Sequence, residues 1–226
     1  MINGLPLHLS LMFVFTTLLT IGFLCVALKI SSRPVHKSIY PIIIIWTIVQ
    51  GILGWQGFYR DFDAWPPRFL LAVGPPNLLT LYLLIRHQRI LCALPLRLLT
   101  FLHIIRIPVE IILFGLYQEG QIPRLMTYEG DNFDIIAGMT GPLMALIAFR
   151  GSINKRLLIY WNLIGLGLLI NIVTRAVLSA PFPFQQLAIE NPNVAVFYFP
   201  FIWLPAVVVP IVFFAHLTSL LHLFRK

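Results

Sequence analysis

Seven long apolar runs, at approximately residues 8–29, 39–59, 68–86, 95–118, 133–149, 156–179 and 195–222, leave this chain few ways to fold. A helix needs about 17–25 mostly apolar residues to cross a hydrocarbon layer roughly 30 Å thick, and the runs match that length. Membrane β-strands alternate sidedness over about ten residues, whereas these runs are apolar throughout, so a helical bundle is expected rather than a barrel. Composition agrees. Of 226 residues, 59% are hydrophobic and only 11% charged, with a mean hydropathy of +0.89, too little charge to cover a soluble surface. The expected fold is an all-α membrane protein, residues 1–226 forming one domain that is a bundle of seven transmembrane helices.

The first run differs from a signal peptide. Met1, Ile2, Asn3 and Gly4 carry no basic side chain and the cations follow the run, so it is read as a retained helix. Basic residues fall on alternate breaks: Lys29, Arg33 and Lys37 after the first run, Arg86, Arg89 and Arg97 after the third, Arg150, Lys155 and Arg156 after the fifth, and Arg225 and Lys226 at the tail. The opposite breaks hold Asp61, Asp63, Glu119, Glu129, Asp131, Asp134 and Glu190, every acidic residue except Glu110. Cations flank the cytoplasmic ends of membrane helices, which puts the N-terminus outside and the C-terminus in the cytoplasm. The net charge of +8 is met by anionic lipid facing those flanking cations and calls for no nucleic acid. Cys25 and Cys92 have neither metal-ligand spacing nor an oxidising location, and both are expected as reduced thiols.

The most informative stretch is HIIRIPVEIILFGLY, residues 103–117. Arg106 lies nine residues beyond Arg97, roughly 13–14 Å along a helix, and Glu110 about 6 Å further, so both fall within the hydrocarbon span. His103, Arg106, Glu110 and Tyr117 follow helical spacing and share a face that should point into the bundle. A charge in mid-membrane costs at least about 2.5–3.5 kcal/mol, which makes function the default hypothesis, with a purely structural Arg106–Glu110 pair as its equal. A second polar face, Asn171 and Arg175, lies toward the outer end of the sixth run. Arg175 has no acid in its own run; Asp134 is the first candidate partner and Asp131 the second. Arg68 adds an outer cation, and Asn77 follows Gly74, Pro75 and Pro76 in the third run, where proline frees backbone carbonyls. The fifth run carries Gly138, Gly141 and Pro142, and the last carries Pro200, Pro205 and Pro210. Together these residues suggest an outward-facing polar pocket. The breaks at 119–132 and 180–194 lie on that side, the second long and apolar enough to cover its mouth.

Several chemistries have no residues to carry them. Lys29, Lys37, Lys155 and Lys226 all sit at run ends or in breaks, so no mid-membrane amine is available for a retinal Schiff base. His103 is read as the single deep histidine, with His36, His87, His216 and His222 toward the cytoplasmic side and His8 toward the outside, which gives no zinc cluster. No phosphate loop, nucleophile elbow or haem-attachment motif is present, and the acidic stretch 129–134 lacks the spacing of a calcium loop. No cofactor and no metal are therefore expected. A sugar transporter built from parallel three-helix repeats would need similarity between the first and last three runs, and there is none.

In the stretches PPRFLLAVGPP (66–76), HIIRIPVE (103–110), MTYEGDNFDIIAG (126–138), SAPFPFQQLA (179–188) and YFPFIWLPAVVVP (198–210), the whole chain resembles a group of uncharacterised multi-pass membrane proteins of the kind found in Bacteroidetes. That resemblance implies a bacterial inner-membrane location and no particular reaction. Three functions fit the residues: binding or transport of a small anionic or lipid-like ligand through Arg106, Glu110, Arg175, Asn171, Asp134, Asn77 and His103; a membrane enzyme acting on a lipid or isoprenoid; or a structural or assembly subunit without ligand. The expected partner is the lipid bilayer, and no oligomeric state is implied.

Overall fold

The computed structural model describes residue 2 and residues 4–225; Met1, Asn3 and the tail cation Lys226 lie outside the described residues. The helices are α1 (Leu7–Lys29), α2 (Ile39–Gln56), α3 (Leu70–Arg86), a single turn α4 (Gln88–Leu91), α5 (Leu96–Gln118), α6 (Asp134–Ile147), α7 (Lys155–Leu178) and α8 (Leu204–Arg225). Among the described residues there is no strand. Helices α1, α2, α5, α7 and α8 are each long and apolar enough to cross a membrane, while α3 and α6 are shorter, at 17 and 14 residues. Their outward residues are those of a lipid-facing surface: Phe15, Leu18, Ile45, Ile48, Leu78, Ile85 and Ile164 are all exposed, an apolar area that a soluble monomer does not present.

Burial identifies the two central helices. Two thirds of the α8 span (67%) and over half of the α5 span (56%) are buried, against 22% for α2. Helix α8 packs on α1, α3, α5 and α7, and α5 packs on α1, α6 and α8. The core around them is Leu, Ile, Val and Phe, including Phe13 of α1, Leu102, Ile105 and Ile112 of α5, and Phe201 and Ile202 just before α8.

Patterning predicts the last helix from about residue 195, but α8 begins only at Leu204. Residues Ala195–Phe197 form a 3₁₀ turn and the chain stays in turns to Ile202; Pro200 lacks the N–H a helix needs and disfavours helical conformation in the residue before it, whereas Pro205 sits in the first turn of α8, where a missing N–H is tolerated. Helix α8 then opens with a π-helical turn, Leu204–Val208. Pro210 deprives the Ala206 carbonyl of its helical donor, and the Trp46 indole of α2 supplies one at 2.9 Å. The Trp203 indole donates in return to the Thr47 carbonyl at 2.8 Å, so two tryptophans sew α2 to α8.

A second departure concerns α6. Patterning places Asp134 at the outer end of a full span, yet α6 lies along only the first half of α5. Its Ala145 carbonyl accepts from Arg97 Nε at 2.9 Å near the start of α5, and its first residue, Asp134, meets Arg106 near the middle of α5. The segment before it, 124–133, runs in irregular conformation beside the second half of α5, with Met126, Thr127 and Asn132 buried. Irregular backbone at such depth needs protein partners for its polar groups, and here it has them. Gly141 permits the close approach: a Cβ there would stand 3.1 Å from both the His103 Cβ and the Thr100 carbonyl oxygen.

Candidate functional site

Arg106 is 2% exposed and is the largest fully buried side chain among the described residues. Its Nε donates to Asp134 Oδ2 at 2.6 Å and its Nη2 to Asp134 Oδ1, a two-pronged ion pair. Nη2 also donates to the Gly165 carbonyl at 3.2 Å, and Nη1 meets His216 Nε2 at 3.2 Å. A guanidinium only donates, so His216 Nε2 must accept and the proton resides on Nδ1, which donates to Asn162 Oδ1 at 2.9 Å. Asn162 in turn donates to the Leu158 carbonyl at 2.8 Å. One chain of hydrogen bonds therefore joins α6, α5, α8 and α7. The glycine at 165 is required in it, since a Cβ would stand 2.7 Å from His216 Cε1.

His216 corrects the expectation that His103 is the single deep histidine. It occupies the middle of α8 and is fully buried, its ring stacked on that of His103 with centroids 3.9 Å apart. The late start of α8 moves the helix register, so that His216 falls at the depth of Arg106 rather than near an end. Trp161 packs edge-on to His103 at 5.1 Å, and its indole donates to Thr140 Oγ1 at 2.9 Å.

Glu110 does not pair with Arg106. Its two carboxylate oxygens each lie 2.7 Å from Asn132 Nδ2, which also donates to the Met126 carbonyl at 2.9 Å. Asn132 Oδ1 accepts from the Asp134 backbone N–H at 3.0 Å, so Asn132 ties Glu110 to the first turn of α6. Both acids thus sit beside the N-terminal end of a helix that begins inside the bundle, the end where backbone dipoles favour negative charge.

Arg175 is partnered by Asp131 at 2.8 Å rather than by Asp134. Asp134 opens α6 and faces α5, whereas Asp131, three residues earlier, faces α7. Asn171 Oδ1 accepts from Arg175 Nε at 3.1 Å, and Asn171 Nδ2 donates to the Asp131 carbonyl at 3.0 Å. This group is partly exposed and clamps the buried loop from outside the Arg106 network. Arg68 pairs with Asp61 on the surface at 2.6 Å.

Beside the network is a crevice of about 270 Å³ between α3 and α7, backed by α8. Its walls are Val73 on α3, Val109 and Leu113 on α5, Leu169 and Val173 on α7, and Pro205, Val209 and Phe213 on α8. Asn77, Thr174, Asn193, Glu110 and Asp134 supply its polar groups, and among the described residues no lysine or arginine lines it. Asn77 Nδ2 donates to the Val73 carbonyl at 2.8 Å. Helix α3 is held against α8 and carries only Ala72 and Thr80 as buried residues, which leaves its side toward α7 open. The 180–194 segment closes one end, its backbone bonded to the end of α7 through Gln186 and Leu187 to the Leu178 carbonyl, with Phe182 packed on Phe62, Phe69 and Phe197.

Of the sequence-predicted site residues, Glu110, Asp134 and Asn77 line the crevice; Arg106 stands behind Asp134, His103 lies beyond it, and Arg175 and Asn171 belong to the outer clamp. Asn132, Asn162 and His216 complete the site without having been singled out. Residues 70–224, from the first residue of α3 almost to the end of α8, match a family described as a domain of unknown function (DUF8737). The chain belongs to the DUF8737 family. The DUF8737 segment contains every residue of the Arg106 network and all of the crevice lining except Phe69, and leaves out α1 and α2. No curated protein and no solved structure matches the chain.

Proposed function

We propose that this protein binds a lipid-like molecule in the crevice between α3 and α7, the apolar part against Val109, Leu113, Val173 and Pro205 and a neutral hydrogen-bonding or cationic end toward Glu110, Asp134 and Asn77. The observation that carries this reading is the make-up of the crevice: apolar over most of its wall, with buried carboxylates at its inner side. Ligand sites are commonly concave and mostly apolar, with a few convergent polar groups fixing orientation. A small anion is a poor fit, because the two cations expected to hold it are engaged elsewhere, Arg106 with Asp134 and Arg175 with Asp131. The Arg106 network then serves as a buried lock that fixes α5, α6, α7 and α8 around the crevice.

The membrane topology belongs to the same reading. The chain crosses seven times, α3 as a short helix and α6 as a half-helix continued by the buried segment 124–133, in a bacterial inner membrane with the N-terminus outside. At 1.5 Å per residue α6 is only about 21 Å long, and the flanking irregular segment makes up the difference from roughly 30 Å. The alternation of cations with acids supports that orientation.

Mass spectrometry of protein gently purified from membranes tests the binding reading. A single lipid-like species should copurify with the wild type and be lost from Val173→Trp, which fills the crevice. An identical set of lipids on both proteins would overturn it.

A further inference from the structure

At the end of the bundle where α1, α3 and α8 finish, three arginines from separate segments converge on one depression of about 670 Å³: Arg33 after α1, Arg89 on α4 and Arg225 at the last turn of α8. Ser32 and the Cys92–Ala93 turn complete its wall, and Ser32 N–H donates to the Ala93 carbonyl at 3.1 Å, which holds the two connecting segments together. Among the described residues the three guanidinium groups have no acid partner, since the ion pairs are Arg68–Asp61, Arg106–Asp134 and Arg175–Asp131. Glu110 and Asp134, the deepest acids, are bonded to Asn132 and Arg106, and the remaining acids lie in breaks at the opposite ends of the helices.

A row of flanking cations would satisfy the charge asymmetry of a membrane protein without converging. These three do converge, and next to them an apolar crevice of about 210 Å³ opens between α2 and α3, lined by Leu28, Ile39, Leu79, Leu83, Ile211 and Phe214. Leu28 of this crevice is four residues before Ser32 of the depression, so α1 leads directly from one to the other. The geometry points to a binding site for an anionic phospholipid, its phosphate held by Arg33, Arg89 and Arg225 and an acyl chain in the α2–α3 crevice. Guanidinium groups take phosphate oxygens in two-pronged fashion, and basic depressions between membrane helices at the headgroup level are suited to phosphate-bearing lipids. This site lies on the other side of α3 from the α3–α7 crevice and stands whether or not that crevice takes a ligand.

The test uses the full chain in detergent micelles, titrated with phosphatidylglycerol or phosphatidylcholine of the same chain length and followed by native mass spectrometry. Phosphatidylglycerol should bind with one-to-one stoichiometry and phosphatidylcholine far more weakly. Arg33→Gln/Arg89→Gln/Arg225→Gln should weaken phosphatidylglycerol binding on the order of a hundredfold. The charge-matched control Arg86→Gln/Arg150→Gln/Arg156→Gln, which neutralises exposed cations outside the depression, should change it by about twofold or less. Leu79→Trp should weaken it with every cation in place. Equal losses in the two triple variants would reduce the effect to diffuse attraction and overturn the site. Inorganic phosphate binding as tightly as the lipid, with Leu79→Trp silent, would overturn the lipid as occupant.

Discussion

Neutralising Asp134 is the perturbation whose outcome the structure determines most fully. Asp134→Asn keeps the size of the side chain and one oxygen acceptor, so what is lost is the charge opposite a guanidinium that is 2% exposed. Removing one partner of a buried ion pair costs about 3–5 kcal/mol, chiefly for the charge left uncompensated. Arg106→Gln should cost a similar amount, because it strands Asp134 and also withdraws the donors from the Gly165 carbonyl and His216 Nε2. In the double variant no charge is stranded and the two amides can bond each other. The cost should therefore fall well short of the sum, with a coupling energy of about 3 kcal/mol. Reversible unfolding in mixed micelles, titrated with a denaturing detergent and followed by tryptophan fluorescence, measures all four corners of the cycle. Additivity within about 0.5 kcal/mol would refute the pair as a coupled unit. A loss below about 1 kcal/mol for Asp134→Asn would show that Glu110, one turn further along α5, turns to take Arg106 instead.

Other substitutions separate the parts of the site. Asn132→Ala leaves both Glu110 oxygens without their donor and should destabilise by about 1–3 kcal/mol in the same unfolding assay. Gly165→Ala drives a methyl to 2.7 Å from the His216 ring and should cost about 1–3 kcal/mol, with no gain when His216 is kept. Arg175→Ala breaks a pair that is partly exposed, 29% and 57% for the two side chains, and should cost less than about 1 kcal/mol, shrinking further at high salt. Val173→Trp should leave unfolding nearly unchanged while abolishing any stabilisation by a copurified lipid, read as the shift in melting temperature when lipid is stripped and returned.

The helical character of the chain was plain from run lengths alone, because an apolar stretch of 20 residues has few other stable states in a membrane. The importance of HIIRIPVEIILFGLY was also legible, since helical spacing put His103, Arg106 and Glu110 on one face, and all three are buried. The partners were not. An arginine and a glutamate four residues apart on one helix invite pairing, yet each is bonded to a different residue of the 132–134 segment, which a span-by-span reading keeps at the outer surface. Hydropathy shows the apolar part of α6 but not that it starts beside the middle of α5, because the buried loop before it is polar in sequence and satisfied only by tertiary bonds. His216 was missed for a related reason: its depth depends on where α8 starts, and the turns around Pro200 delay that start by nearly ten residues. The glycines of α6 are contact points for α5.

An experimental map of the protein in lipid nanodiscs tests the central claim most directly. Elongated density should lie between α3 and α7 against Val109, Val173 and Pro205, with its polar end at Glu110 and Asn77 and the Arg106–Asp134 pair intact behind it. Helix α3 closed against α7, with side chains filling the space between them, would contradict it.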